Sequence, residues 1–380
     1  MALLGKDILN AIKTRIELRM FKEISEVNPD ERIEQKTISR KESLSICFVI
    51  PGIERFKGGI TSILRLGTYL EEMGNRVFYA SMNRQKEKEM GEKARINLPY
   101  FKGKTININT LKKMEFDIGI ATYWLSAYFI QNNQHLFKEK YYFIQDFEPA
   151  FYPIGDLHYL ALNTYRLGFK LISLGGWNAK KIEESTGEQC FVVEFPFEIK
   201  QYTIVEKEIK IQKDINIAIY LKTIPKRGPL LLLTASKKLK NMLKKKGLNP
   251  KIMFFGLERF VSTGAGVNMG KLTTERLKQL YSKCHIGIVA SYTNISLVPY
   301  EMIACGLPVF EAKDGSAPFF FNEKEMVFYN SFPEDIVKKV SFYLDNQEKL
   351  NEILKNAQIK IKDKTWKNTA KQFEKILKTT

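Results

Sequence analysis

Short, continuous apolar runs alternate with longer stretches of helical periodicity along most of this chain, and that alternation restricts the fold more than any other feature. The first run, Ser45–Ile50, precedes a stretch from Gly58 to Gly74 whose apolar residues recur at helical spacing, and a second run follows at Val77–Ala80. Buried parallel strands have continuous apolar sequences, and a strand, a helix and a strand in series form a βαβ unit. The pattern therefore predicts a parallel sheet covered by helices.

The same pattern occurs on both sides of a charged stretch at residues 198–214, which we interpret as the crossing between two domains. Before it, further runs are FDIGIAT, YYFIQDF, KLISLGGW and CFVVEFPF; after it, the runs NIAIYLK, KIMFFG, HIGIVAS and LPVFEA alternate with helical stretches, and helices follow to the end. A chain of 380 residues, 44% of them hydrophobic, is long enough for two cores. We predict an α/β fold of two Rossmann-like, doubly wound parallel-sheet domains. Their bounds are a basic helical extension at 1–44, a first domain at 45–205 joined by the C-terminal helix at 363–380, and a second domain at 206–362.

Cysteine and histidine usage argues against structural bridges or metals. The four cysteines have no CxxC spacing and the three histidines have no metal-ligand spacing, so we predict neither a disulfide framework nor a metal site. No stretch reaches the roughly 18 to 20 apolar residues of a membrane helix. The first residues lack the cleavage pattern of a signal peptide. These observations predict a cytoplasmic protein.

The formal net charge of +18 points to an anionic partner. The excess lysines are spread over several segments and accompany no recognised binding motif, which argues against nucleic acid. Residues 3–21 have the pattern of a basic amphipathic helix, which either lies on an anionic membrane surface or packs against its own domain. The sequence leaves both alternatives open.

The stretch KCHIGIVASYTNISLVPYEMIACGLPVFEAK carries the strongest chemical signal. A loop after a strand leads into a helix near Ser296 and Leu297, where free N–H groups and the helix dipole attract phosphate. Glu301 follows one turn later, where a carboxylate can accept hydrogen bonds from ribose hydroxyls. In order and spacing this stretch resembles the donor-binding signature of family-4, GT-B fold glycosyltransferases. Tyr292 and Thr293 then belong to the donor site, and Thr293 stands where that family usually has a second glutamate contacting the donor sugar.

Two further segments resemble donor-site parts of the same family, and a glycine pair in the first half is a donor-site candidate on physical grounds alone. The segment IAIYLKTIPKRGPLLLLT places Lys222, Lys226 and Arg227 where the family clamps the diphosphate, and cations there neutralise the charge that develops on the leaving group. The glycines Gly58 and Gly59 at a strand-to-helix junction let backbone N–H groups approach a diphosphate or sugar, although a tight turn alone also requires glycine. The loop that meets the nucleobase matches Gly256, Asn268, Gly270 and Leu272.

In the first half, the run YYFIQDFEPAFYPIGDLHYLALNTYRLGFKLISLGGW is the most distinctive. It resembles the acceptor-domain segment of bacterial polysaccharide rhamnosyltransferases of the WsaF type. Gln145, Asp146 and Glu148 follow a strand at the end where doubly wound sheets bind ligands, and a carboxylate there can orient the acceptor hydroxyl or take its proton. Candidate acceptor contacts are Tyr165, Arg166 and Trp177. Alternatively, Asp146 caps a helix and the aromatic residues are core.

These resemblances imply two domains facing each other across a cleft, the first binding the acceptor and the second the nucleotide sugar. The implied reaction is retaining, metal-independent transfer of a sugar to a lipid-linked cell-surface glycan at the inner face of the membrane, with no cofactor beyond the nucleotide sugar. In that scheme Gln145, Asp146, Lys222, Arg227 and Glu301 are the catalytic candidates. The resemblance favours dTDP-rhamnose as the donor, and a UDP-hexose is the alternative. A catalytically inactive partner or glycan-binding protein of the same fold is the rival from another class.

Overall fold

The computed structural model describes residues 22–28, 30–38, 43–55, 57–198, 201–257 and 264–379. The predicted basic helix at residues 3–21 lies outside this part of the chain. Two compact units are present: unit 1 runs to Val193 and resumes at Thr369, and unit 2 runs from Glu194 to Asn368. In the described part, no helix has the length and apolar character needed to cross a membrane.

Unit 1 is built on a seven-stranded sheet in the order β3-β2-β1-β4-β5-β6-β7. Every strand pair is parallel, which explains why the central strand β1 is buried at all six positions and reads as a continuous apolar run. Its strands are β1 (Ser45–Ile50), β2 (Arg76–Ser81), β3 (Lys104–Asn107), β4 (Phe116–Ala121), β5 (Phe137–Ile144), β6 (Lys170–Leu174) and β7 (Cys190–Val193). Its helices are α1 (Gly58–Glu72), α2 (Glu87–Asn97), α3 (Ile108–Leu111), α4 (Trp124–Asn132), α5 (Asp156–Asn163) and α6 (Gly176–Thr186).

Unit 2 repeats the arrangement with a six-stranded sheet in the order β10-β9-β8-β11-β12-β13, again with all pairs parallel. Its strands are β8 (Asp214–Tyr220), β9 (Asn249–Phe255), β10 (Val267–Asn268), β11 (Ile286–Ile288), β12 (Val309–Ala312) and β13 (Val327–Tyr329). Its helices are α7 (Pro229–Lys245), α8 (Thr274–Lys283), α9 (Leu297–Ala304), α10 (Pro333–Asp345) and α11 (Gln347–Ile361). The sequence predicted only helices after residue 313, and strand β13 corrects that prediction.

In both units the strand order reverses beside the first strand, between β1 and β4 in unit 1 and between β8 and β11 in unit 2. Helices that follow the two strands at such a point leave toward opposite faces and open a crevice at the carboxyl ends of the strands. The two switch points are therefore the places to look for ligand sites.

The charged stretch before β8, which we interpreted as a crossing, packs along unit 2. The Ile209 N–H donates to Asn351 Oδ1 at 2.7 Å, and the Ile211 N–H donates to Gln347 Oε1 at 2.8 Å. Both isoleucine side chains belong to the core of unit 2. The alternation of apolar and charged residues here is thus that of an extended segment with one buried face.

The last helix, α12 (Trp366–Thr379), begins in unit 2 and continues in unit 1. The ring of Phe373 packs edge-on against Phe143 with centroids 5.3 Å apart, and Glu374 accepts a 2.7 Å hydrogen bond from the amide of Asn75. Unit 1 is therefore assembled from two separate stretches of chain.

Candidate functional site

At the switch point of unit 2, the loops that follow β8 and β11 are held against each other. The loop after β8 contains a single 3-10 turn, Pro225–Arg227, and ends at Gly228, whose φ is +54°. The Tyr292 N–H in the second loop donates to the Lys226 carbonyl at 3.1 Å. A Cβ on Gly228 would lie 3.0 Å from the Tyr292 ring and 3.1 Å from Cβ of Ala290, so glycine permits both the backbone turn and the close approach of the loops.

Arg227 bridges these two loops. Its Nη1 donates to Ser291 Oγ at 2.7 Å and its Nη2 to the Asn294 carbonyl at 3.4 Å. The side chain is nearly buried, with 8% of its surface exposed. A guanidinium held in one orientation at the carboxyl ends of adjacent parallel strands is suited to bind an anion of defined geometry.

Behind Arg227 lies Glu311, a residue of β12 that the sequence analysis did not select. Its Oε2 accepts a hydrogen bond from Ser291 Oγ at 3.1 Å, its Oε1 accepts one from the Ala312 N–H at 3.0 Å, and the residue is fully buried. Burial raises the pKa of the Glu311 carboxyl to about 7, against the opposing effects of the Ala312 N–H, Arg227 and Ser291. The available signal was a glutamate inside the apolar strand run LPVFEA, because charged side chains are seldom fully buried without a partner.

Tyr220, at the end of β8, interacts with several of the predicted donor-site residues. The Lys222 ammonium lies 6.0 Å from the centre of the Tyr220 ring. Burial raises the pKa of Tyr220, Arg227 opposes the shift and Glu301 adds to it, which places both charges within electrostatic range of this phenol. The structure thus brings together the three residues Lys222, Arg227 and Glu301, which are well separated in sequence.

The helix that starts at this point, α9, has an open N-terminus. Ser296 is the N-cap residue and Leu297 the first helical residue, as the sequence predicted. The Ser296 side chain makes no capping bond, and its Oγ has no hydrogen-bond partner within the described ranges. The N-cap side chain therefore does not satisfy the N–H groups of Leu297 and Val298 at the positive end of the helix dipole, and the third residue, Pro299, has no N–H.

The remaining predicted donor-site residues take up varied positions. Gly256 has a φ of +97° and donates its N–H to the Gly270 carbonyl at 2.8 Å, and the Gly270 N–H donates to Asn268 Oδ1 at 2.9 Å. A Cβ on Gly256 would lie 2.7 Å from the Tyr220 ring, so this loop approaches the same tyrosine. Leu272 is half-buried and Lys226 also lies near the surface. Thr293 is buried in the loop after β11, and the neighbouring Tyr292 donates its phenol O–H to Ser331 Oγ at 2.8 Å.

At the switch point of unit 1, the two loops also meet, and the cations described in the loop after β1, Arg55 and Lys57, are exposed rather than buried. Thr122 Oγ1 donates to the Val49 carbonyl at 2.7 Å and ties the end of β4 to that of β1. Gly58 and Gly59 begin α1, as predicted, and a Cβ on Gly59 would lie 3.8 Å from the amide of Gln145. Gln145 and the half-buried Asp146, whose Oδ1 accepts the Phe147 N–H at 2.9 Å, therefore follow β5 near the start of α1.

Glu148 occupies the N-terminus of α4. Its Oε2 accepts hydrogen bonds from the Trp124 N–H at 2.6 Å and the Tyr142 hydroxyl at 3.1 Å, and 6% of the residue is exposed. The Tyr165 hydroxyl accepts the Glu148 N–H at 3.3 Å. These contacts make Glu148 an internal helix cap.

The other predicted acceptor residues also make contacts within unit 1. Tyr165 and Trp177 are 1% and 6% exposed, respectively, so their rings are packing groups. Arg166 donates to Asn163 Oδ1 and to the Ser185 carbonyl, both at 3.1 Å. Acceptor binding by these residues stays a prediction. Among the described residues, no group of three or more histidine, cysteine, aspartate or glutamate side chains is arranged to hold a metal ion.

Comparison of the fold with solved structures identifies its class. The chain is similar to Anabaena HepE in complex with UDP and glucose, with a TM-score of 0.68 and 13% identity over 89% of this chain and 100% of HepE. The sucrose-phosphate synthase of Thermosynechococcus elongatus is similar at a TM-score of 0.68 and 13% identity, over 87% of this chain and 98% of that enzyme. The chain has the GT-B glycosyltransferase fold.

Two sequence comparisons also find similarity between this chain and proteins of glycan synthesis. Residues 237–375 match a family described as "Glycosyl transferase-like". The chain is also 28% identical over 210 residues to the O-antigen biosynthesis protein RfbC of Myxococcus xanthus, a match that covers 51% of this chain and 15% of RfbC. The chain thus corresponds to a small part of the length of that relative. The family segment contains Ser291, α9 and Glu311, so its match includes most of the site at the switch point of unit 2.

Proposed function

We propose that this protein is a glycosyltransferase that moves a sugar from a nucleoside-diphosphate sugar to a glycan acceptor during cell-surface polysaccharide assembly. The observation that carries the proposal is the pairing, at the switch point of unit 2, of the anchored Arg227 guanidinium with the uncapped N-terminus of α9. Both features attract anions, and they lie at the carboxyl ends of adjacent strands, where open α/β sheets bind nucleotides.

The neighbours of this chain support the donor class. The structure of HepE in complex with UDP-glucose is similar to that of this chain, with a TM-score of 0.68. RfbC is named for O-antigen biosynthesis, which supports a polysaccharide product. Among donors we favour dTDP-rhamnose, because of the resemblance of the run around Gln145 to rhamnosyltransferases, with a UDP-hexose as the alternative.

The residues of unit 2 then have defined tasks. The charge on the leaving nucleoside diphosphate increases as the bond to the sugar breaks, and Lys222, Lys226 and Arg227 would stabilise it without a metal ion. Glu301 would hold the ribose hydroxyls. Retention of the anomeric configuration and a role of Gln145 and Asp146 in orienting the acceptor hydroxyl complete the proposal.

The acceptor and the location belong to the proposal as well. A lipid-linked glycan would be presented at the inner face of the membrane, and the net charge of +18 favours an anionic surface there. No cofactor beyond the nucleotide sugar is proposed.

Nucleotide binding and turnover test this function directly. Purified protein is incubated with dTDP-rhamnose, UDP-glucose, UDP-galactose or GDP-mannose, with and without EDTA, and melting temperature and nucleotide release are recorded. A ligand of the folded state raises the melting temperature, so the donor should stabilise the protein and be hydrolysed slowly in the presence of EDTA.

The Arg227→Ala variant identifies the site. Loss of hydrogen bonds from a charged donor should weaken nucleoside-diphosphate binding by roughly 10- to 100-fold. Lys246→Ala, which removes a cation paired with Asp345 on the surface of unit 2, is the control and should bind as the wild type does. Absence of any melting-temperature shift with millimolar nucleotide sugar would refute the proposal and favour an inactive binding protein.

A further inference from the structure

Three neighbouring strands of unit 2 each contribute one side chain to a continuous chain of hydrogen bonds. Arg227 follows β8, Ser291 follows β11, and Glu311 lies in β12, and these strands are adjacent in the order β8-β11-β12. The links are Arg227 Nη1 to Ser291 Oγ at 2.7 Å and Ser291 Oγ to Glu311 Oε2 at 3.1 Å. We refer to these three side chains as the relay.

The relay has a fixed polarity. A serine hydroxyl has one proton to donate, and the carboxylate of Glu311 accepts it when the pH lies above the pKa of Glu311, about 7. The lone pairs of Ser291 Oγ then face Arg227, whose guanidinium can only donate. The second carboxylate oxygen is held by the Ala312 N–H at 3.0 Å, which limits rotation of the Glu311 side chain.

The main chain around Ser291 is fixed as well. Its carbonyl accepts the Ser316 N–H at 3.1 Å. A Cβ on Gly315 would lie 1.8 Å from the same carbonyl oxygen, so the loop after β12 packs directly on the loop after β11. Ser291 therefore holds its place against the sheet, and the guanidinium that it contacts is held in turn.

The fold itself does not require an acidic residue at position 311. The neighbouring residues of β12 are apolar and every residue of the strand is buried, so an apolar side chain would satisfy the sheet. A buried charge costs desolvation free energy, and a buried ion pair seldom exceeds well-packed apolar residues in stability. Glu311 also reaches Arg227 through a hydroxyl rather than by direct contact. The arrangement is suited to orienting Arg227 rather than to stabilising the core.

We propose that Glu311, acting through Ser291, is a positioning residue that holds the Arg227 guanidinium ready to receive the diphosphate of the donor. The inference rests on the proposed function of unit 2 as a nucleotide-sugar site. A preorganised donor binds a developing anion without further reorganisation. Loss of the relay therefore weakens recognition of the diphosphate and leaves recognition of the nucleoside as it was.

The test compares the wild type with Glu311→Gln, Ser291→Ala and the double variant, and Glu325→Gln elsewhere on unit 2 is the matched control. Calorimetry measures binding of UDP and dTDP, with uridine and thymidine as probes that lack phosphate. We expect each single relay variant to weaken diphosphate binding roughly five- to tenfold, a smaller loss than that of Arg227→Ala because the guanidinium is still present, with nucleoside binding unchanged. The double variant should be no weaker than either single variant, because both changes interrupt one chain.

Stability provides a second readout. Glu311→Gln removes a buried charge but keeps the shape, so at pH 8 its melting temperature should equal or exceed that of the wild type while diphosphate binding falls. A purely structural glutamate would lower both quantities together.

The outcomes separate the two proposals. If the folded wild type binds neither UDP nor dTDP, the proposed function is wrong and this inference is lost with it. If the wild type binds a diphosphate and both relay variants bind it equally well, or lose nucleoside binding to the same extent, only the positioning role of Glu311 is wrong. Additive losses in the double variant would also overturn it.

Discussion

Helices α4 and α9 occupy equivalent places in the two units, yet their N-termini differ. Each follows the strand that lies across the switch point from the first strand of its sheet, β4 in unit 1 and β11 in unit 2. In unit 1 the carboxylate of Glu148 accepts the first N–H of α4 at 2.6 Å. In unit 2 the side chain of Ser296, the N-cap residue of α9, makes no capping bond. Equivalent helix ends in the two units thus differ in whether a carboxylate of the chain binds their N–H groups, and we propose that the end of α9 binds the diphosphate instead.

The carboxylates near the two switch points also have different surroundings. Glu148 binds directly to the helix end and to the hydroxyl of Tyr142, so it completes the fold of unit 1. Glu311 is linked through the hydroxyl of Ser291 to the guanidinium of Arg227, which follows β8 at the carboxyl ends of the strands of unit 2. We therefore expect changes at Glu148 to affect stability and changes around α9 to affect ligand binding.

The largest expected effect is the loss of stability on Glu148→Ala. The substitution leaves the buried Trp124 N–H and the Tyr142 hydroxyl without their acceptor, which should lower the free energy of unfolding by about 3 to 4 kcal/mol. Urea unfolding of the variant and the wild type measures the difference. Nucleotide affinity of the folded variant should be unchanged. A loss below about 1 kcal/mol would mean that α4 does not depend on this cap.

Next is a pH effect at Glu311, whose pKa burial raises from 4.5 to about 7. The folded state holds this proton more tightly than the unfolded state, so the contribution to stability is complete below pH 4.5 and is lost as the pH rises through about 7. The loss relative to Glu311→Gln should reach at most about 3 kcal/mol.

Urea unfolding of both proteins at pH 5 and pH 8 checks this sign. Three charged or titratable groups interact electrostatically with Glu311: Arg227, Tyr292 and Tyr329. The ordinary pKa values of arginine and tyrosine lie above 8, so none of the three loses its proton between pH 5 and pH 8. A pH dependence equal in the two proteins would contradict the assignment to Glu311.

A smaller effect is expected when α9 is given a carboxylate at its N-terminus, as α4 has in Glu148. Ser296→Asp places a carboxylate at the N-cap, which should raise the melting temperature slightly and weaken nucleoside-diphosphate binding at least about tenfold, because the new charge competes for the same N–H groups. The control is Asn346→Asp, which adds the same charge at the N-cap of α11. Thermal unfolding and calorimetry measure both variants. Unchanged diphosphate affinity in Ser296→Asp would remove α9 from the binding site.

The smallest effect is expected for Glu184→Ala in α6 of unit 1. Glu184 pairs with Lys181 at 2.8 Å on the surface, and exposed pairs of this kind add little to stability. The variant should unfold at the same urea concentration as the wild type. A clear loss of stability would show that an exposed carboxylate of unit 1 also contributes to folding, and the contrast with the buried Glu148 would then fail.

The sheets were predictable where strands are buried on both faces, because such strands are continuous apolar runs. The strands that were missed lack this signal: β3 (KTIN) is polar and only partly buried, and β10 has two residues, both at least partly exposed. Strand β13 is fully buried but only three residues long, too short to distinguish from a helical turn. All three missed strands stand at the edge of a sheet, and each is four residues long or shorter. The edge strand β7 was found although two of its four residues are exposed, because its sequence CFVV is a continuous apolar run.

For the candidate site, the sequence predicted the strand-to-helix loops but not the hydrogen bonds between residues of different loops and strands. The start of α9 after Ser296 followed from a local pattern, and so did the cations after β8. The bond from Glu311 through Ser291 to Arg227 depends on which strands are neighbours, and the capping of α4 by Glu148 depends on where a distant helix begins. Neither relation is encoded in any one segment.

The division of unit 1 into two stretches has a consequence for its synthesis on the ribosome. All of unit 2 lies between Val193 and Thr369, so β1 to β7 emerge well before α12. At about 5 to 20 residues per second, Phe373 follows β7 after roughly 10 to 35 seconds. During that interval the aromatic side chain of Phe143, fully buried in the finished protein, lacks its partner. The unit whose strands are translated first is therefore the last to be completed.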